Sequence, residues 1–436
     1  MDNYIFRRAE NNNDCSKLKI LFNEVFYPEK VGNLAEYFFY NLPGLKKSGW
    51  FIAEEKITGK IVSACALIPW KLNFEGIELN TAEMGIVATD KSHQRKGLMK
   101  HLAAEFNREL ISSDYDISII QGIPGFYHKM GYYYSISFEN HINLPLECIP
   151  ESSGNDFNIR PADENDIIFL MNEDQMMSEK FTVTVKRSHD EWKYLINTTE
   201  ENEPEYAGEF YICENSRQKF YFKINLHGFG EGLILSEASS GISPEAAAAV
   251  FGFCSKLCEA RHKPYVRINL HENAALSETA FALGAEPDAA YAWQIKIPDI
   301  CRFIKKISPV LEQRLSASEM KNITAVYRLN MYSSMTDIYI ISGKIISAVN
   351  YCSPEDSELH IENLKEKISE TENTEMMKNI FTLNIREDML PVIIFGHKSL
   401  EKLYRFRPDT FTETPQAQLL TNTLFPEKDS WIYCRY

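Results

Sequence analysis

Over 436 residues the sequence contains no Cys-x-x-Cys pair, no Gly-Lys-Ser/Thr phosphate loop and no His-Glu-x-x-His pattern. These absences exclude a zinc ribbon, a P-loop nucleotide site and the common zinc-hydrolase helix. The nine cysteines are odd in number and scattered from Cys15 to Cys434, so they form no disulfide framework. No apolar run approaches the ~20 residues that span a bilayer. The opening Met1-Asp2-Asn3-Tyr4-Ile5-Phe6-Arg7-Arg8 lacks the apolar core of a signal peptide. Basic residues are also in deficit, 46 Lys and Arg against 61 Asp and Glu, a net charge of −15. Such a surface repels phosphate backbones, which argues against nucleic acid as a partner, and attracts cations, polyamines included. A reducing cytoplasm is the expected compartment, with no metal and no membrane as partner.

What is present is an ordinary globular balance, 44% hydrophobic and 25% charged, with 22 Tyr and 26 Phe to fill cores and line pockets. The length suggests about three domains at ~150 residues each. Helical spacing over Leu18–Phe26 and Tyr37–Leu42 precedes strand patterns at Gly49–Ala53, Ile61–Leu67 and Leu79–Ala88. Leu98, Leu102, Phe106 and Leu110 then form a buried helical stripe. Ile117–Gln121 reads as a strand and Gly125–Met130 as a short helix. This alternation predicts an α/β layer structure.

Pro145–Pro161 has the composition of a linker. Beyond it the strand–helix rhythm returns, with a helix predicted after Ser243-Pro244-Glu245, a hydroxyl cap followed by proline and a carboxylate. Cys254 and Cys258 fall on the apolar face of that helix and read as core. The glycine-rich His227–Gly232 reads as a hairpin turn. The last third carries a hairpin over Thr336–Ile346 turning at Ser342-Gly343, a strand at Phe381–Arg386, and helices at Ser399–Tyr404 and Pro415–Leu424. Its end, Trp431-Ile432-Tyr433-Cys434-Arg435-Tyr436, is too apolar to fray and is expected to lie in a groove.

The chemistry concentrates in two segments. After the strand ending at Ala88 come Gln94-Arg95-Lys96-Gly97 and then the helix opening with Leu98 and Met99. Unsatisfied N–H groups and the positive dipole end at a helix start suit an anion, Gly97 allows close main-chain approach, and Arg95 and Lys96 add charge. About thirty residues on stands Gly125-Phe126-Tyr127-His128-Lys129-Met130-Gly131-Tyr132. Together the two segments resemble the GNAT superfamily of acetyltransferases. The first matches its Gln/Arg-x-x-Gly-x-Gly/Ala pyrophosphate loop, with Met99 in place of the small residue, and the second its Phe-Tyr-x-x-x-Gly-Tyr/Phe signature.

More widely, the chain resembles the enhanced intracellular survival (Eis) branch. That resemblance implies tandem GNAT folds of α/β (α+β) class, catalytic over 1–150 and degenerate over 155–300, then a sterol-carrier-protein-like domain over 301–436. The turn Glu237–Gly241 carries neither a basic residue nor the loop pattern, so the middle domain is expected not to bind CoA. The resemblance implies acetyl-CoA as co-substrate, held by Ile86, Val87, Ala88, Gln94, Arg95, Lys96, Gly97, Leu98, Met99 and Gly122. Gly122 departs from the small hydroxyl residue frequent in the branch. Tyr127 is the expected proton donor to the CoA sulfur, and Tyr436 contributes through its main-chain carboxylate, which assists deprotonation of the amine. The acceptors implied are aminoglycosides, other polyamines or lysine side chains, and the assembly a homo-oligomer, with a hexamer as one form. Two alternatives stand beside this reading: a longer-chain N-acyltransferase, and a non-catalytic binding protein that uses the third domain.

Overall fold

The computed structural model describes residues 2–150, 156–199, 207–228, 230–351, 374, 376 and 378–436. Residues 151–155 of the predicted linker, Phe229 of the glycine-rich stretch and Cys352 lie outside them.

The first stretch runs β1 Tyr4–Arg8, α1 Asn12–Phe26, α2 Val31–Asn41, β2 Trp50–Glu55, β3 Ile61–Phe74, β4 Ile77–Thr89, α3 Leu98–Ser112, β5 Ile117–Ile120 and β6 Tyr133–Pro145. It continues with β7 Asn158–Pro161, α4 Ile167–Lys180, β8 Val183–Val185, α5 His189–Asn197, β9 Gly208–Glu214, β10 Lys219–Asn225, β11 Leu233–Ala238, α6 Pro244–Arg261, β12 Tyr265–Ile268, α7 Ala275–Ala282 and β13 Glu286–Lys296. The last part comprises α8 Ile300–Ser316, β14 Ala325–Asn330, β15 Met335–Ile341, β16 Lys344–Tyr351, β17 Ile380–Asn384, α9 Leu390–Ile394, α10 Leu400–Tyr404, β18 Phe411–Thr412 and α11 Pro415–Leu424.

The strong sequence signals became elements. Ser243 caps α6 by accepting from the Ala246 N–H, and Cys254 and Cys258 are fully buried on that helix. The hairpin turns at Ser342 and Gly343, both in the left-handed region, as a tight hairpin with the strands' twist demands. Two expectations need correction. The predicted short helix at Gly125–Met130 is a single 3-10 turn, Tyr127–Met130, closed by Gly131 at φ +81°. The predicted linker to Pro161 ends in a strand, because Asn158–Pro161 pairs with β9. Signals were also incomplete: α2 starts six residues before Tyr37, and β3 runs on to Phe74.

One 13-stranded sheet runs through both of the first two parts, in the order β1-β2-β3-β4-β5-β13-β6-β12-β11-β10-β9-β7, with β8 beside β3. The strand β13, late in the second part, lies between β5 and β6 of the first. The third part is a separate five-stranded sheet, β16-β15-β14-β17-β18. Among the described residues no helix is long and apolar enough to cross a membrane.

The chain's last residues lie in a groove, as their composition predicted. Trp431 and Ile432 are buried, and the Trp431 N–H donates to the Val183 carbonyl at 3.0 Å. The Tyr433 hydroxyl donates to the Ala238 carbonyl. Arg435 is 4% exposed, and its guanidinium donates to Glu191 and to the Pro43 and Pro69 carbonyls. Removing that cation strands a buried carboxylate and two carbonyls. Arg435→Ala is therefore expected to cost about 3 kcal/mol, read as a lower urea midpoint, with Arg435→Lys recovering only part.

Candidate active site

The site begins with a fault in the sheet. The β3–β4 ladder runs in register from Phe74–Ile77 to Ala66–Gly85, then resumes at Ala64–Ala88. Ile86 and Val87 thus face Cys65 alone, a bulge, with Ile86 held at φ +43°. The left-handed region is strained for a β-branched residue, by roughly 1–3 kcal/mol, and persists where the surrounding structure imposes it. On its other edge β4 pairs with β5 only over Thr81–Glu83, while β4 itself continues to Thr89. Beyond Glu83 the two strands part, and the main chain of Met84–Ala88 borders a wedge with no strand in it. Such an edge offers N–H donors to an extended, amide-bearing chain and to a polarised carbonyl.

Past β4, Asp90 accepts from the Ser92 N–H at 2.8 Å and closes the 3-10 turn Lys91–His93. Arg95 at φ +61° and Gly97 at φ +79° then swing the chain into α3. Gly97 is the N-cap and no side chain caps the helix, so its first N–H groups are open to an anion. Gln94, Arg95, Lys96 and Gly97 are all exposed around that end. The Leu98 side chain is instead buried with Leu102, Phe106 and Leu110, and Met99 packs against the same cluster. Those two residues have main-chain N–H groups to offer rather than side-chain contacts. Residues suited to a pyrophosphate and to a pantetheine arm thus stand together, and the fold fits CoA.

The opposite wall of the wedge follows β5. The side-chain nitrogen of Gln121 is buried with no hydrogen-bond partner among the described residues. A bound carbonyl would satisfy such an orphaned donor. The next residue, Gly122, has its carbonyl held by Tyr291 and by Gln294 Nε2 at 2.7 Å, both from β13. Its missing side chain matters, because a Cβ there would lie 2.2 Å from Cδ2 of Tyr127. The residue that departs from the resembled branch is the one the Tyr127 ring packs against.

Tyr127 is 7% exposed and packs against Phe126 and Tyr132. Its hydroxyl makes no hydrogen bond to the described residues, yet it is not among the sealed polar atoms. Burial, with Cys65 and Tyr291 nearby, pushes the phenol well above its ordinary value, so it remains protonated at neutral pH.

Sequence reasoning missed Glu83. It is 2% exposed, accepting from Trp70 Nε1 at 3.0 Å and from the Tyr436 hydroxyl at 2.7 Å. Burial drives its carboxyl up to about 7, against those two donors and nearby Arg435, which all favour the ion. In the sequence it is one acid in an alternating strand, indistinguishable from a solvent-facing residue. The available signal was an acid inside a strand too apolar to lie at an edge. Tyr436, expected to act through its main-chain carboxylate, places its phenol on Glu83 and its ring 4.7 Å from that of Phe38.

The two predicted catalytic residues are on opposite faces of the sheet. Tyr127 clusters with Cys65, Leu67, Met84 and Val87 on the α3 face. Trp70, Ile86, Phe38 and Tyr436 cluster on the α1–α2 face, where Trp70 and Tyr436 hold Glu83. The wedge opens between them.

Residues 7–135 match the family described as acetyltransferase (GNAT) domain. No curated protein sequence is a significant match to the chain. Among solved structures, a probable N-acyltransferase of unknown function from Enterococcus faecalis V583 superposes with a TM-score of 0.70 at 13% identity, covering 99% of each chain. A GCN5-related N-acetyltransferase from Anabaena variabilis ATCC 29413 gives 0.66 at 13% identity, again over 99% of both chains. Eis1 from Mycobacterium abscessus gives 0.59 at 10% identity, covering 99% of this chain and 100% of that one. The likeness is one of fold and runs the length of the chain.

Gly122→Ala tests the packing of the wedge wall. The added methyl must displace the Tyr127 ring, and turnover is expected to fall ~100-fold while circular dichroism is retained.

Proposed function

We propose that the chain, whose residues 7–135 match an acetyltransferase (GNAT) domain, transfers acetyl from acetyl-CoA to a primary amine, by direct attack in a ternary complex. The observation that carries this reading is Glu83: a buried carboxyl, titrating near neutrality, three residues before the bulge and across the sheet from Tyr127.

Acetyl-CoA supplies a thioester, and the reaction forms an N–C bond, breaks the C–S bond and leaves an amide and a free thiol. The chain's residues divide the rest. The α3 N-terminus with Gln94–Gly97 takes the pyrophosphate, and the open edge over Ile86–Ala88 takes the pantetheine amides and the carbonyl oxygen. Gln121 adds a second donor to that oxygen. Glu83, when ionised, accepts a proton from the incoming ammonium, because only the neutral amine is a nucleophile. Tyr436 and Trp70 orient the carboxylate and stabilise its charge. Tyr127 directs its hydroxyl to the sulfur. A phenol raised above its ordinary ~10 is a weaker acid than a thiol, so it acts by hydrogen bonding as charge develops and completes transfer only with the sulfur well placed. A protein retained only for binding has no use for a near-neutral buried base beside an open strand edge, which weighs against the non-catalytic alternative.

The sign of the pH dependence follows. The Glu83 base is absent while the group is neutral and accumulates as pH rises through about 7. kcat/KM should climb through that region and level above it. Glu83→Gln should remove the limb and cost ~100-fold or more. Tyr436→Phe takes away a donor to the ionised form, so the limb should move to higher pH; an unmoved limb would reject this role for Tyr436. Tyr127→Phe should lower turnover ~100-fold with acetyl-CoA affinity little changed, measured by free-thiol release and by titration calorimetry.

A further inference from the structure

Tyr127 stands on a loop that is otherwise at the surface. Between β5 and β6, Ile123, Pro124, Gly125, Phe126, His128 and Lys129 are exposed, and Tyr127 is buried in their midst. Gly125 at φ +74° and Gly131 at φ +81° give the stretch backbone conformations that other residues resist. The Gly131 N–H donates to the His128 carbonyl at 3.1 Å, and the Tyr132 N–H to the Tyr127 carbonyl at 3.2 Å. These local bonds shape the turn. They do not fix its position relative to β4 and α3, and that position decides where the phenol hydroxyl lies.

Bonds that do fix it come from β13, 166 or more residues further along the chain. On the near shoulder of the loop, Tyr291 and Gln294 hold the Gly122 carbonyl, as described above. On the far shoulder, Lys296 Nζ donates to the Met130 carbonyl at 2.8 Å, and the same ammonium donates to Asn107 Oδ1 of α3 at 2.9 Å. It also lies 5.8 Å from the Tyr132 ring. Successive side chains of a strand point to opposite faces. Trp293 and Ile295 join the core of the α1–α2 face, so Gln294 and Lys296 are turned toward α3 and Tyr127. Burial pushes the Lys296 ammonium below its ordinary value, with Glu387 nearby acting the other way. Its two charge-assisted bonds offset that cost.

We propose that Lys296 is a positioning residue for acyl transfer: with Gln294 on the other shoulder, it clamps the Tyr127 turn to α3 and so sets the phenol hydroxyl against the thioester sulfur. It acts through the Met130 carbonyl and Asn107, not on the reacting atoms. Such placement has little tolerance, since a shift of about 1 Å in a reacting group costs up to ~100-fold in rate. The clamp also ties the turn to the helix whose N-terminus takes the pyrophosphate, so the two ends of the cofactor site keep a fixed separation. The second part of the chain, which has no phosphate loop at Glu237–Gly241, thereby serves the chemistry of the first through its last strand. This assignment rests on reading Tyr127 as the group that serves the sulfur.

The test is a double-mutant cycle on the full chain, read by thiol release with the fastest acceptor among spermidine, a lysine peptide and an aminoglycoside. Lys296→Met is expected to lower kcat about ten-fold, with acetyl-CoA affinity by calorimetry held within about two-fold. Made in the Tyr127→Phe background, the same substitution should change kcat by less than about two-fold, because the group it positions is gone. A merely structural lysine would lower both backgrounds alike. Gln294→Leu cuts the other shoulder and should give the same pattern, and it decides by the same criteria if Lys296→Met fails to fold. Undiminished turnover by Lys296→Met, or an equal loss in both backgrounds, overturns the proposal. A Tyr127→Phe defect beside an undiminished Lys296→Met rejects the clamp alone. Full turnover by Tyr127→Phe, or no thiol release with any of the three amines, rejects the role of Tyr127 and the clamp with it.

Discussion

The structure turns on a shortage of backbone partners along one edge of β4. A strand inside a sheet normally exchanges hydrogen bonds on both sides, and main-chain groups left over need another partner. Here the bulge at Ile86–Val87 spoils one side and the early end of β5 removes the other. What remains is a strip of donors with a fixed spacing in the interior of the sheet, away from its edge strands β1 and β7. The exposed turn at Gln94–Gly97, the Tyr127 ring and Glu83 are arranged around that strip, two of them on opposite faces. None would have a shared target if β4 and β5 stayed paired to their ends.

The middle part of the chain contains a similar fault with a different outcome. β11 pairs with β12 in parallel only over Leu233–Leu235 and carries its own bulge at Ser236 against β10. There the space is taken: the Tyr433 hydroxyl donates to the Ala238 carbonyl and accepts from its N–H. The segment that fills this second gap goes on three residues later to place Tyr436 on Glu83. One short stretch of chain thereby occupies one opening and furnishes a wall for the other.

Most of the elements were legible, because their signals are local. The 3.6-residue stripe of α3, the Ser243 cap and the Ser342-Gly343 turn each specify structure within a few residues. The exposed turn Gln94–Gly97 before α3 was legible for the same reason. What escaped was non-local. Glu83 looks like any acid until β3 and β5 flank it and Tyr436, 353 positions away, reaches it. Lys296 looks like a solvated strand residue until Asn107 and the Met130 carbonyl close around it. Gly122 reads as a lost contact in sequence, and only packing shows that the loss admits the Tyr127 ring.

The placement of β13 has a consequence for how the chain comes off the ribosome. β5 and β6 are complete within the first 145 residues, but the strand that joins them spans Glu286–Lys296. Until β12 and β13 are made, more than 100 residues later, one edge of β5 and both edges of β6 have no partner. Such edges are templates for pairing with other chains, and the delay makes this a topology of high contact order, slow to close. Chaperone demand during synthesis, and aggregation of fragments that stop short of residue 296, are written into the order of the strands.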